Sequence, residues 1–145
     1  MLQCTAISKI PTRDALIALT RMENGPDNAS LWLYQLGEYR LCELAGDGHA
    51  EHATMLCNSD VRDDPRDLWL LWTDEGGRRR ERLAELPPCP EAINRGRPNA
   101  WHCILFAEHP AVHSWEISDP LGDLVKQQAK EEAYRRFDQY DQDPD

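Results

Sequence analysis

Leu68-Trp69-Leu70-Leu71-Trp72, then Thr73-Asp74-Glu75-Gly76-Gly77, then Arg78–Leu86 reads as a β-hairpin. A short apolar run rich in aromatic residues meets a Gly-containing turn and returns as a second strand. Leu31-Trp32-Leu33-Tyr34-Gln35-Leu36, Gly37-Glu38 and Tyr39-Arg40-Leu41-Cys42-Glu43-Leu44 follow the same plan. Both units open with Leu-Trp-Leu, 37 residues apart, and two similar hairpins in one sheet explain this better than a repeat array, which needs about three copies to bury its faces. A third hairpin pattern spans 101–107 and 112–117 around Glu108-His109-Pro110-Ala111, with apolar residues on both faces of its first strand. Residues 2–10 suit a first strand stopped by Pro11, and Thr12 suits the N-cap of a helix over 13–22, although that run also reads as a buried strand.

The end of the chain is helical. Asp119 as N-cap, Pro120 at the first helical position, and Leu121, Val125, Ala129, Ala133 and Phe137 at every fourth residue mark an amphipathic helix running to Tyr140. The expected fold class is α+β: an antiparallel sheet built from hairpins, with the C-terminal amphipathic helix packed on one face. Residues 1–140 form one domain, and 141–145 form an acidic, disordered tail. If the helix docks on the sheet, Val125→Asp unfolds the protein.

At 145 residues the chain is long enough to bury a core without staples. Its longest apolar runs fall far short of the roughly 20 residues that span a bilayer, and its N-terminus lacks the pattern of a signal peptide. A cytoplasmic location and no membrane partner are expected. Arginine outnumbers lysine thirteen to three, a bias suggesting a bacterial or phage source. The net charge is −10, and residues 101–145 carry −6 of it, with ten acids against four bases. Negative charge gathered at one end suits a basic protein partner and opposes direct binding of nucleic acid. Arg78, Arg79, Arg80 and Arg82 run against that trend, and read most simply as a solvated edge strand.

Candidate chemistry lies in cysteine and histidine. Cys89, His102, Cys103, His109 and His113 form one group, and His49, His52 and Cys57 a looser one. The inventory suffices for zinc, but there is no Cys-x-x-Cys, and the neighbours His102 and Cys103 point to opposite faces of a strand. The spacing therefore predicts no metal and no cofactor. The five cysteines are read as small buried hydrophobes, and Cys89 as an unremarkable loop thiol without a local activating group. Phosphate-binding glycine loops and a serine nucleophile elbow are absent, and the acids of 60–67 lack the glycine and terminal glutamate of an EF-hand loop.

The expectation is a non-enzymatic binding protein that covers a basic surface on a toxin or a nucleic-acid-processing complex. In profile it is similar to toxin-immunity proteins and to phage anti-defence factors such as anti-CRISPR proteins, without a shared motif. Glu131, Glu132, Asp138, Asp141, Asp143 and Asp145 would supply steering, and Trp69 and Trp72, on opposite faces of a strand, would supply an aromatic contact. The alternatives are a small Cys/His metalloprotein, zinc-dependent enzymes included, and a structural subunit of a bacterial or phage assembly.

Overall fold

The computed structural model describes residues 1–46 and 48–141, with side chains of the last helix described through Phe137. The element order is β1 (Ile7–Lys9), α1 (Thr12–Arg21), α2 (Ala29–Leu36), β2 (Tyr39–Leu41), β3 (His52–Cys57), β4 (Asp67–Glu75), β5 (Arg78–Leu86), β6 (Ala92–Ile93), β7 (Trp101–His102), a 3-10 turn at Ser114–Glu116, and α3 (Pro120–Asp141). The class is α+β with antiparallel strand pairs throughout: β3-β4-β5, β1-β2 and β6-β7.

β4 is the centre of the molecule. It pairs on both sides, and its residues from Asp67 to Trp72 are all buried. Alternation puts Leu68, Leu70 and Trp72 on one face and Trp69 and Leu71 on the other, so a strand apolar at every position must be covered twice. The N-terminal elements cover the first face: His52 lies against Trp72 at 5.4 Å between ring centroids, and Ala18 of α1 lines a common cleft with Leu68 and Leu83. The C-terminal segment covers the second face, where the Phe106 ring meets Trp69 edge-on at 5.1 Å. β5 is the sheet edge, and its arginines oppose acids across the hairpin in the pairs Asp74↔Arg79 and Glu75↔Arg78. Arg82 adds a bidentate pair with Glu51 at 2.9 and 3.0 Å. Within the run, Arg79 and Arg82 thus have acidic partners, Arg79 through Glu81 at 3.5 Å.

Three expectations need correction. Residues 31–36 belong to helix α2, capped by Asn28 Oδ1 accepting from the Leu31 N–H at 3.0 Å. Four consecutive turn-forming residues before it supply the cap that a hairpin reading ignores, and Trp32 uses its indole N–H to reach the Leu56 carbonyl at 2.7 Å. The third hairpin does not form. β7 stops at His102 and pairs with β6, Trp101 is exposed, and 103–117 forms no strand, its one regular piece being the 3-10 turn. The third correction concerns α3. Asp119 caps it as expected, with Oδ1 accepting from Gly122 N–H at 3.1 Å. The helix does not dock on the sheet, however, and residues 123–137 are all exposed. The apolar positions drift around the axis because a spacing of four overshoots 3.6 residues per turn, so no single stripe faces the body. Val125→Asp should accordingly leave the melting temperature unchanged.

Glu43 supports the junction of the first layer with β3. Its carboxylate accepts from the Met55 N–H and from Thr54 Oγ1. Burial pushes the carboxyl above its ordinary range, and these hydrogen bonds together with Arg40 offset only part of that rise. A folded-state value above the unfolded one gives stability that is present at low pH and lost as pH rises through the raised value. Glu43→Gln fixes the neutral form. Urea titrations should therefore find it more stable than the parent at neutral pH, with the difference shrinking as pH is lowered.

Candidate metal centres

Eight side chains gather into two sets of identical chemistry: Cys4, Cys42, His49 and His52, and Cys89, Cys103, His109 and His113. Within each set the four donor atoms all lie within 4.8 Å of one another. The sequence separates them widely, but the sheet brings them together. Cys4 follows the pairing of Gln3 with Ala45, Cys42 follows β2, and His52 opens β3. In the second set the Cys89 N–H donates to the Leu105 carbonyl at 2.8 Å, which holds the proline-rich loop beside Cys103.

The distances match a zinc tetrahedron. Bond lengths near 2.3 Å to sulfur and 2.05 Å to nitrogen imply edges of about 3.3 Å between nitrogens and about 3.6 Å between nitrogen and sulfur. In the first set His49 Nε2 lies 3.1 Å from His52 Nδ1, Cys4 Sγ lies 3.5 Å from His52 Nδ1, and Cys42 Sγ lies 3.6 Å from His49 Nε2. In the second, His109 Nε2 lies 3.2 Å from His113 Nδ1, Cys103 Sγ 3.4 Å from His109 Nε2, and Cys89 Sγ 3.6 Å from His113 Nδ1. Each set thus presents Nε2 of its first histidine and Nδ1 of its second.

The surroundings prepare these atoms to ligate. Cys4 accepts from the Ala6 N–H and Cys42 from the Ala53 N–H, each at 3.5 Å, and backbone N–H groups of Leu44, Glu91 and Leu105 act to favour the thiolates of Cys42, Cys89 and Cys103. A sulfur placed to accept N–H donors is the arrangement that a metal-bound thiolate needs. Burial pushes the Cys42 thiol up to about 11, and it raises Cys89 as well. At Cys103 burial also acts upward, but donors from Ser114, Leu105 and His113 outweigh it and the net direction is down. His109 Nδ1 lies 3.1 Å from the Pro110 carbonyl, which can only accept, so Nδ1 carries the proton and Nε2 keeps a free lone pair. Aromatic rings brace the imidazoles: Trp72 beside His52, Phe106 edge-on to His109, and Trp115 stacked on His113 at 4.7 Å. Glu108 and Ala111 flank His109 with φ of 65° and 63°, a left-handed conformation that costs a non-glycine residue of order 1–2 kcal/mol. Something must hold that loop in place, and ligation at both ends would do so.

The expected groups are therefore partly redrawn. Cys89, Cys103, His109 and His113 come together, while His102 is exposed on β7 outside the set. His49 and His52 join Cys4 and Cys42, whereas Cys57 is buried elsewhere with its thiol on the Asn58 carbonyl. The argument against zinc from spacing does not hold, because the ligands come from separate elements. A sequence signal was present: Cys42-x6-His49-x2-His52 and Cys103-x5-His109-x3-His113 both place the last histidine ten residues after the cysteine.

The proposed contact residues also separate. Trp69 and Trp72 are 0% exposed, so neither can meet a partner; both faces of β4 are covered, which turns opposite-facing tryptophans into two buried ones. Glu131 and Glu132 are exposed on α3, engaged with Gln127 and Arg136 one turn away. The side chains of Asp138 and Asp141, and all of Asp143 and Asp145, lie outside the described residues. No helix among the described residues is long and apolar enough to cross a membrane. No protein-family model, curated protein or solved structure matches the chain.

Proposed function

We propose that the protein is a non-catalytic binding protein in which one structural zinc ion fastens the N-terminal layer to β3 of the central sheet through His52 and a second closes the segment 89–113 on itself. The observation that carries this is the closure of both donor sets: two cysteines and two histidines apiece, converging at tetrahedral spacing. A catalytic zinc keeps three protein ligands and one open position for water, whereas a structural one takes four. The layers also need fastening. Outside β3-β4-β5 the strands are only two or three residues long, too short to hold together alone. The zinc-dependent enzyme reading is the weaker one, because each set offers four protein donors where a catalytic site keeps three.

The partner is a basic protein surface, as an inhibitor or immunity-type factor would engage. The net charge of −10 and the exposed acids Asp60, Asp63 and Asp64 support it, as does the exposed outer face of β1-β2 bearing Ile7, Tyr39 and Leu41. Charge would set the association rate, and the apolar patch the lifetime.

Cobalt substitution tests the metal reading. Two equivalents of Co(II) should give the strong visible absorption of tetrahedral S2N2 coordination, and Cys103→Ser should weaken the second equivalent only. Weak, octahedral-type absorption would contradict it. For the partner, capture from a bacterial lysate followed by kinetics should show association slowing with salt while dissociation changes little. Association indifferent to salt would remove the basic-surface reading.

A further inference from the structure

We infer that the second donor set is a peroxide-responsive switch, in which oxidation joins Cys89 to Cys103 and expels the zinc ion. This rests on the zinc reading and adds a regulation that the first set does not share. The four donor atoms lie within 4.8 Å of one another, so the two sulfurs are within reach of each other. Cys89 is partly exposed at the start of a surface loop, and from Pro90 to His102 every residue except Ala92 is exposed. Cys103 behind it is only 4% exposed. Peroxide therefore meets Cys89 first, and Cys103 resolves the product.

Strand register separates the two sets. Ala92↔His102 and Pro88↔Phe106 share one antiparallel register, which sets Cys89 opposite Leu105 and Cys103 opposite Glu91. The two cysteines are thus diagonal neighbours, about 7–8 Å apart at Cα. A disulfide spans about 4.4–6.8 Å, so the register that suits zinc does not suit the disulfide. Gln3↔Ala45 and Ile7↔Leu41 put Cys4 and Cys42 in the same diagonal relation. Either disulfide therefore requires its ladder to shift. Around Cys89 the ladder is two residue pairs and one bridge beside an exposed loop, and it is free to shift. The first set is held: Cys4 and Cys42 belong to the buried core, and the Glu43 N–H ties their layer to the Ala53 carbonyl of β3 at 2.8 Å. Loss of zinc at the second set also lets Glu108 and Ala111 leave the left-handed conformation, which favours the oxidised form.

The chemistry balances with hydrogen peroxide as the oxidant. The Cys89 thiolate attacks it: an S–O bond forms, the O–O bond breaks, and hydroxide leaves. The Cys103 thiolate then attacks that sulfur, forming the S–S bond as the S–O bond breaks and a second hydroxide leaves. The sulfurs lose two electrons, peroxide gains them, and two protons from solvent complete two waters. His109 and His113 are then the only donors left in the set, and the zinc ion departs.

The test uses the full chain as purified. Its zinc is counted first, and released zinc is then followed with a chromogenic chelator while hydrogen peroxide is added. One of the two ions should leave as the first equivalent of peroxide is consumed, and peptide mapping should find the Cys89–Cys103 disulfide. Hydrogen exchange should quicken across 87–113 and stay unchanged across 39–57, and a thiol reductant with added zinc should reverse both changes. Two ions with neither released, both released together, or release without that disulfide would overturn the switch and leave the zinc reading standing. A chain holding no zinc before peroxide is added would overturn both.

Discussion

Stripping the metal will unfold the protein. Structural zinc binds finger peptides with about 10–16 kcal/mol at neutral pH, while an ordinary domain is stable by about 5–15 kcal/mol in total. Two such ions, bound as proposed, would supply more than an ordinary domain's whole stability. Excess chelator should abolish near-ultraviolet dichroism and the cooperative melt, and two equivalents of zinc should restore both. The two sites should differ in their reach. Cys42 is fully buried in the core between β2 and β3, so Cys42→Ser should collapse the N-terminal layer and with it the cooperative fold. Cys103→Ser should release 87–119 while the β3-β4-β5 sheet stays protected in hydrogen exchange. A melting curve insensitive to chelation would show that packing alone suffices.

Trp72→Ala should be among the most damaging single changes outside the ligands, at about 3–5 kcal/mol. The side chain is fully buried, lies against His52, and links the sheet to the first donor set. Trp72→Phe should cost much less. Among the described residues the buried Trp72 indole N–H has no hydrogen-bond partner, and phenylalanine removes that unpaired donor together with part of the ring. Trp69→Ala should match Trp72→Ala through loss of the Phe106 contact on the opposite face. Urea denaturation of the four variants of these two positions, Ala and Phe at each, would measure the difference. Equal losses for Ala and Phe would show that a phenyl ring recovers none of the packing that the indole provides.

The legible part of the fold was the part dictated locally. The β4-β5 hairpin forms where Leu68–Trp72 and Gly76-Gly77 placed it, and Asp119 caps α3 as its position implied. The α2 segment was misread because Leu-Trp-Leu-Tyr is apolar in either period, and only the cap at Asn28 decides for helix. Cys103–His113 was misread for a different reason. Its alternating residues suit a strand, but convergence of Cys103, His109 and His113 on one point demands a loop, at the cost of left-handed Glu108 and Ala111. Spacing rules for zinc assume ligand pairs from one turn. Here Cys4 and Cys42 are brought together by the sheet, and tertiary pairing of that kind leaves no local trace.

The central claim is that each chain carries two zinc ions in closed Cys2His2 sites. Native mass spectrometry of protein purified without added metal, compared with its denatured mass, tests this most directly. The account predicts a mass excess of two zinc ions less the displaced protons, falling to one in Cys103→Ser and in Cys89→Ser, with His102→Ala keeping both. A native mass equal to the bare chain, in protein that is folded, would contradict it.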